Sequence, residues 1–166
     1  MTETEDRREN VRRFERIARN YLRTMEQIER LSREIEGDNY MLQGVRSIDT
    51  SMPKPAGRGQ KGDRERMYRL MDHRDELIRQ RNELQKRIAW TEKVIEQCNV
   101  EYRPYITTVF IRRAPLTGTA EKLGMPWERL SRKISEALQE VLSDEMMAEH
   151  DEIMRRLDEE GESGAA

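Results

Sequence analysis

Leu116-Thr-Gly-Thr-Ala-Glu-Lys-Leu-Gly-Met-Pro-Trp-Glu-Arg-Leu-Ser-Arg-Lys-Ile134 is the stretch on which the reading of this chain turns. Ala120, Gly124 and Leu130 fall four and six residues apart, as in two short helices joined by a sharp turn. Ala120 is small enough for the second helix to cross over the first. Gly124 can take the positive φ that ends one helix and begins the turn. Leu123, Met125, Leu130 and Ile134 supply a small shared core, and Pro126 suits the start of the second helix. Such a helix-turn-helix presents the polar face of its second helix outward, where it can enter a DNA major groove. The bland alternative is a plain connection between two helices of a bundle.

Composition sets the surroundings of that unit. In 166 residues, 39% are charged and only 35% hydrophobic, which leaves little material for a thick core. Abundant Arg, Glu and Leu at helical spacing fit long, slender helices that gain their burial by pairing or self-association. One cysteine, Cys98, excludes an internal disulfide, and His73 and His150 are too far apart in sequence to suggest a zinc site. The absence of a long apolar run and a polar, charged start predict neither a membrane span nor a signal peptide, hence a cytoplasmic protein. The formal net charge of −2 conceals an asymmetry. Residues 144–166 hold nine acidic and two basic side chains, and the rest holds 29 basic against 24 acidic. An acidic tail beside a mildly basic body suits a nucleic-acid binder and equally a solvated helix end.

From residue 3 to 36 the apolar positions Val11, Phe14, Ala18, Tyr21, Met25, Ile28 and Ile35 follow alternating steps of three and four, interrupted only by Ser32, which predicts one helix. Residues 37–62 carry Pro53, Pro55, Gly57, Gly59 and Gly62, which predict a flexible loop. Gly57-Arg-Gly-Gln-Lys-Gly62 matches a dinucleotide-binding glycine pattern in letters only, because no strand precedes it and the βαβ setting is missing. Asp63 can cap a second long helix reaching Gln97, with Arg74 and Arg81 intruding at seam positions. Residues 102–113 predict a supporting helix whose inner face is Tyr105, Ile106, Val109 and Phe110. The expected fold is all-α, a long antiparallel helical hairpin or coiled coil followed by a C-terminal helix-turn-helix. Its divisions are residues 1–98 with the loop at 37–62, residues 99–143, and the acidic tail 144–166. Whether the long helices pair within or between chains stays open.

The order of these parts resembles a family. A charged first helix, a break holding Met52-Pro-Lys-Pro55 and glycines, a second long helix and a helix-turn-helix ending in Glu136-Ala-Leu138 are similar to small phage-encoded regulators of the RinA and ArpU type. The resemblance covers about residues 15–142, and its C-terminal part looks like region 4 of sigma-70 factors. It implies phage or prophage transcription control through promoter DNA, with double-stranded DNA, host RNA polymerase and a second copy of the chain as partners and no cofactor. Carried onto this chain, the recognition surface is Trp127, Glu128, Arg129, Ser131 and Arg132, whose side chains suit base edges. Arg112, Arg113 and Lys122 suit phosphates that position the unit. Trp127 equally covers a helix junction, and the i, i+4 spacing of Glu128 and Arg132 favours an ion pair. Two other functions compete: a small terminase-like DNA-packaging subunit and a structural coiled-coil adaptor. No constellation of His, Cys or Ser suggests catalysis, so an enzyme is not expected.

Overall fold

The computed structural model describes the backbone of residues 2–49 and 59–163, with side chains for residues 2–44 and 62–159. Among the described residues every regular element is helical, in keeping with the all-α class expected from the periodicity. The order is α1 (Glu3–Arg19), α2 (Tyr21–Asp49), α3 (Gly59–Gln97), α4 (Arg103–Ile106) continued by π-helical Thr107–Ile111, α5 (Leu116–Lys122), α6 (Trp127–Val141) and α7 (Asp144–Ser163). The chain forms two units, one of residues 26–84 and one of residues 1–25 together with 85–166.

A capping box starts α1. The Thr2 hydroxyl accepts from the Glu5 N–H and the Glu5 carboxylate accepts from the Thr2 N–H. Acidic residues in the first turn and Arg16 and Arg19 in the last complement the helix dipole. The single helix expected over residues 3–36 is interrupted at Asn20, whose side-chain amide donates to the Arg16 carbonyl and competes with the helical pattern. The interruption is brief, because Thr24 bonds the Asn20 carbonyl through both its N–H and its hydroxyl.

The break expected at Gly37 does not occur. Helix α2 passes through Gly37 to Asp49, and α3 begins at Gly59 rather than at Asp63. A lone exposed glycine costs a helix about 1 kcal/mol, which the burial of Ile35 and Leu42, one face apart by two turns, outweighs. Residues 50–58, with both prolines of the expected loop and the first glycine of the glycine-rich stretch, lie outside the described residues. In the unit of residues 26–84, Leu77 adds to this thin apolar content. Two polar pairs cross from α3 to α2: His73 Nδ1 lies 2.5 Å from Asp38 Oδ2, and Arg74 donates to Asn39 Oδ1 at 3.3 Å. Arg74 and Arg81 occupy the seam positions read from the sequence, and the Nε of each is enclosed without a hydrogen-bond partner.

The other unit is built around aromatic packing. Phe14 of α1 meets Trp90 of α3 at 6.1 Å and Phe110 edge-on at 6.5 Å. Val94, Ile106, Leu130, Ile134 and Leu138 close the core around them. The π-helical turn has a physical use here. Its wider turn, closed by the Arg112 N–H on the Thr107 carbonyl at 3.0 Å, leaves Ile106, Phe110 and Ile111 all buried. Residues 102–113 therefore form not the uniform α-helix expected but a short α-helical turn with a π-helical continuation.

The acidic segment is not loosely attached: its apolar stripe of Met146, Met147, Ile153, Met154 and Leu157 lies on α7 (Asp144–Ser163), which buries Met146, Met147 and His150. Trp90 fixes it by donating its indole N–H to the Met146 carbonyl at 2.9 Å. Nor do residues 99–143 stand apart, because α1 packs on both α6 and the π-helical turn. The buried Asn10 amide donates to the Leu142 carbonyl at 3.1 Å and to Asp144 Oδ1 at 3.2 Å, and Arg13 pairs with Asp151 at 2.6 Å.

His150 is 5% exposed, its ring lies tilted against Trp90 with centroids 4.6 Å apart, and neither ring nitrogen has a hydrogen-bond partner. Burial, aided by the positive charges of Arg87 and Arg13 against the opposing Asp151, pushes its pKa from 6.5 down to about 4. The unfolded chain therefore takes up this proton first as pH falls. The stability that His150 contributes is complete above about 6.5 and is lost as pH falls toward 4, a difference of about 3 kcal/mol. His150→Leu should remove that component, so the gap in urea-unfolding free energy between variant and parent should move in the variant's favour from pH 6.5 to pH 4. A gap independent of pH would show that the histidine is not buried neutral. Gly37→Ala, with open space around the added methyl, should raise stability by about 0.5–1 kcal/mol in a thermal melt.

Candidate nucleic-acid interface

The turn between α5 and α6 is made by Gly124, whose φ of +65° is the left-handed conformation read from the sequence. The Met125 N–H bonds back to the Ala120 carbonyl at 3.1 Å, and the Gly124 N–H to the Glu121 carbonyl at 3.1 Å. Ala120 and Leu130 are both fully enclosed within one core cluster, with Leu116 and Met125 packed against it. Leu123 departs from expectation. It is 38% exposed, because α5 ends at Lys122 and the turn directs Met125 rather than Leu123 at the core. Thr119, unusual at its place in such a helix, returns its hydroxyl to the Pro115 carbonyl at 3.0 Å. Pro126 caps α6 through backbone only, its carbonyl accepting from the Arg129 and Leu130 N–H groups.

Helix α6 is strongly two-faced. Leu130, Ile134, Ala137 and Leu138 are buried, whereas Glu128, Arg129, Arg132, Glu136 and Glu140 are exposed. The outward face is cationic near its start and acidic toward its end. Arg129 and Arg132 lie in that first half together with Glu128. Trp127 is 49% exposed, so about half of its surface is open to solvent at the start of α6. Ser131 is half-buried and turns toward α1, off the outward face. The ion pair favoured by the spacing of Glu128 and Arg132 is not formed. Neither residue has an ion-pair partner, and the same holds for Arg112, Arg113, Lys122 and Arg129 among the described residues. All four of these cations are exposed.

Arg113 adds a feature that sequence reasoning did not foresee. Its φ is +58°, the left-handed region that ordinarily belongs to glycine. The position follows the π-helical turn, and the Ala114 N–H closes it onto the Thr108 carbonyl at 3.0 Å. An arginine held there costs about 1–2 kcal/mol in local conformation. Arg8 of α1 is a second omission. It lines depressions shared with Ser131 and Ser135, a proximity created by packing of the first helix on α6 and invisible to local spacing.

The remaining reactive groups are quiet. Burial raises the Cys98 thiol to about 11, so it stays protonated at neutral pH. Among the described residues no group of three or more His, Cys, Asp or Glu side chains is placed to hold a metal ion. No described helix is long and apolar enough to cross a membrane. No known protein family, curated protein or solved structure matches this chain.

Relief of the left-handed arginine is measurable. Arg113→Gly should stabilise the protein by up to about 1 kcal/mol, the strain released less the added freedom of the unfolded glycine. A lower denaturation midpoint for that variant would mean that the Arg113 side chain contributes more than its backbone costs.

Proposed function

We propose that this protein is a phage or prophage transcriptional regulator that binds promoter DNA through a sigma-70 region 4-like helix-turn-helix, with α5 as its first helix and α6 as its recognition helix. The observation that carries the reading is the pairing of an enclosed Ala120 and Leu130 with exposed, unpaired Arg129 and Arg132 on the opposite face of α6. A bundle connector has no need to hold two free guanidiniums over the first turns of a helix. A major-groove helix does, because bidentate arginine recognises guanine and its N-terminal turns come nearest the bases. The start of α6 has no side-chain cap hydrogen bond, which leaves its first N–H groups and the positive end of its dipole available to a phosphate nearby.

In this reading Arg112, Arg113 and Lys122 hold the flanking backbone and Glu128 accepts from a cytosine amine. The left-handed Arg113 supports it: strain retained at a charged, exposed residue is expected where the side chain has a task that glycine cannot perform. Helices α2 and α3 would form a helical hairpin for self-association or contact with RNA polymerase. The protein would act in the cytoplasm and carry out no catalysis.

Selection of binding sites from a random duplex pool, followed by titration of the selected site, tests the proposal. Arg129→Ala and Arg132→Ala should each weaken that site by about 1–3 kcal/mol and relax its sequence preference. Arg112→Ala should weaken all sequences alike. Full affinity in all three variants would remove this surface from DNA recognition. A ring-shaped oligomer in native mass spectrometry, with selected sites mapping to a genome end, would replace the regulator by a packaging subunit.

A further inference from the structure

We propose that the cleft between α1 and α6 seats one phosphodiester strand of the bound duplex, gripped by Arg8 and Arg12 of α1 opposite Ser131, Ser135 and Arg132 of α6. The inference rests on the DNA-binding reading and extends the contact surface to a helix at the other end of the sequence.

Two depressions run along the contact of these helices, and Arg8, Ser131 and Ser135 line both. Arg8 is exposed and has no ion-pair partner among the described residues. The Ser131 hydroxyl has no hydrogen-bond partner there either. Ser135 accepts from the Gln139 amide at 3.0 Å, which leaves its own O–H free to donate. A guanidinium set against two hydroxyl donors is the donor set that protein surfaces use for phosphate oxygens. Arg132 lines the outer depression and Arg12 the inner one.

The carboxylates nearby explain why the seat is local. Glu128 and Glu136 line the outer depression, and Glu15 lies in the inner one, near Arg12 and Arg19. Arg12 also lies 3.7 Å from Glu9. In the outer depression Arg8 and Arg132 are balanced by Glu128 and Glu136, so the positive excess lies in the inner one, where Arg8, Arg12 and Arg19 stand against Glu15 beside the two serines. A helix lying in a major groove has a phosphate strand along each wall. Arg129 and Arg132 project from the neighbouring face of α6, so a strand in the α1 cleft and bases beneath α6 belong to one duplex.

Fluorescence anisotropy of the full chain on a short labelled duplex of arbitrary sequence, titrated at graded salt, tests this. Arg8→Ala should weaken binding several-fold and make the slope of log affinity against log salt shallower by about 1, as for one lost phosphate contact. Arg8→Lys should restore the slope, and Ser131→Ala with Ser135→Ala should weaken binding at unchanged slope. Arg79→Ala, an exposed arginine of α3 outside this surface, serves as the charge-matched control and should match the parent. Parental affinity and slope for Arg8→Ala, with binding weakened in Arg112→Ala, would overturn the cleft while leaving the DNA reading intact. Weaker binding with a lowered melting temperature and an unchanged slope would make Arg8 a structural residue, and overturn it too. A parent chain without salt-dependent binding would end both.

Discussion

The packing of Phe14 against Trp90 and Phe110 is the contact on which the unit of residues 1–25 and 85–166 depends. A chain this poor in apolar residues has few large side chains to enclose, and three of its aromatics are spent on one junction. That junction joins the first helix to the third and to the π-helical turn, the turn in turn backs α5, and the first helix itself packs on α6. Removing Phe14 would therefore open a void behind the surface that carries Arg129 and Arg132. The orientation of a surface helix is in this way set by a residue more than a hundred positions earlier in the chain.

Charge is arranged with the same economy. Many exposed arginines outside α4–α6 form pairs, such as Arg33 with Glu29 and Arg155 with Glu152. Exposed pairs of this kind add little stability, but they do neutralise their surroundings. Arg112, Arg113, Lys122, Arg129 and Arg132 are left without such partners. These five cations are open to solvent beside the exposed carboxylates Glu121, Glu128, Glu136 and Glu140, in a protein whose net charge is −2.

Much of the architecture was legible in the sequence wherever a local rule operated. The three-and-four spacing marked the helices, and Gly124 marked a left-handed turn because no other residue adopts it so cheaply. Ala120 and Leu130 marked the buried side of the α5–α6 corner by size alone. The reading failed where tertiary contact overrode local preference. Gly37 signalled a break, yet the buried face formed by Ile35 and Leu42 carries the helix through it. The acidic composition of residues 144–166 hid how firmly Met146, Met147 and His150 anchor α7, although the apolar stripe there marked it. Leu123 was assigned inward because the α5 pattern extends to it, although the helix stops one residue earlier. As for the surface residues, their exposure followed from the two-faced pattern of α6, whereas the approach of Arg8 and the left-handed Arg113 had no local signature.

The hydrogen bonds from Asn10 to Leu142 and Asp144, and the pair of Arg13 with Asp151, have a consequence for biosynthesis. The opening helix leaves the ribosome long before the residues that cover its apolar side have been translated. Trp90 and Phe110 reach Phe14 first, and α6 packs on α1 only afterwards. Closure over such a separation is slow relative to local helix formation. Assembly of the surface that carries Arg129 and Arg132 is thereby tied to synthesis of α6, and a nascent fragment ending before α6 has no means of displaying it.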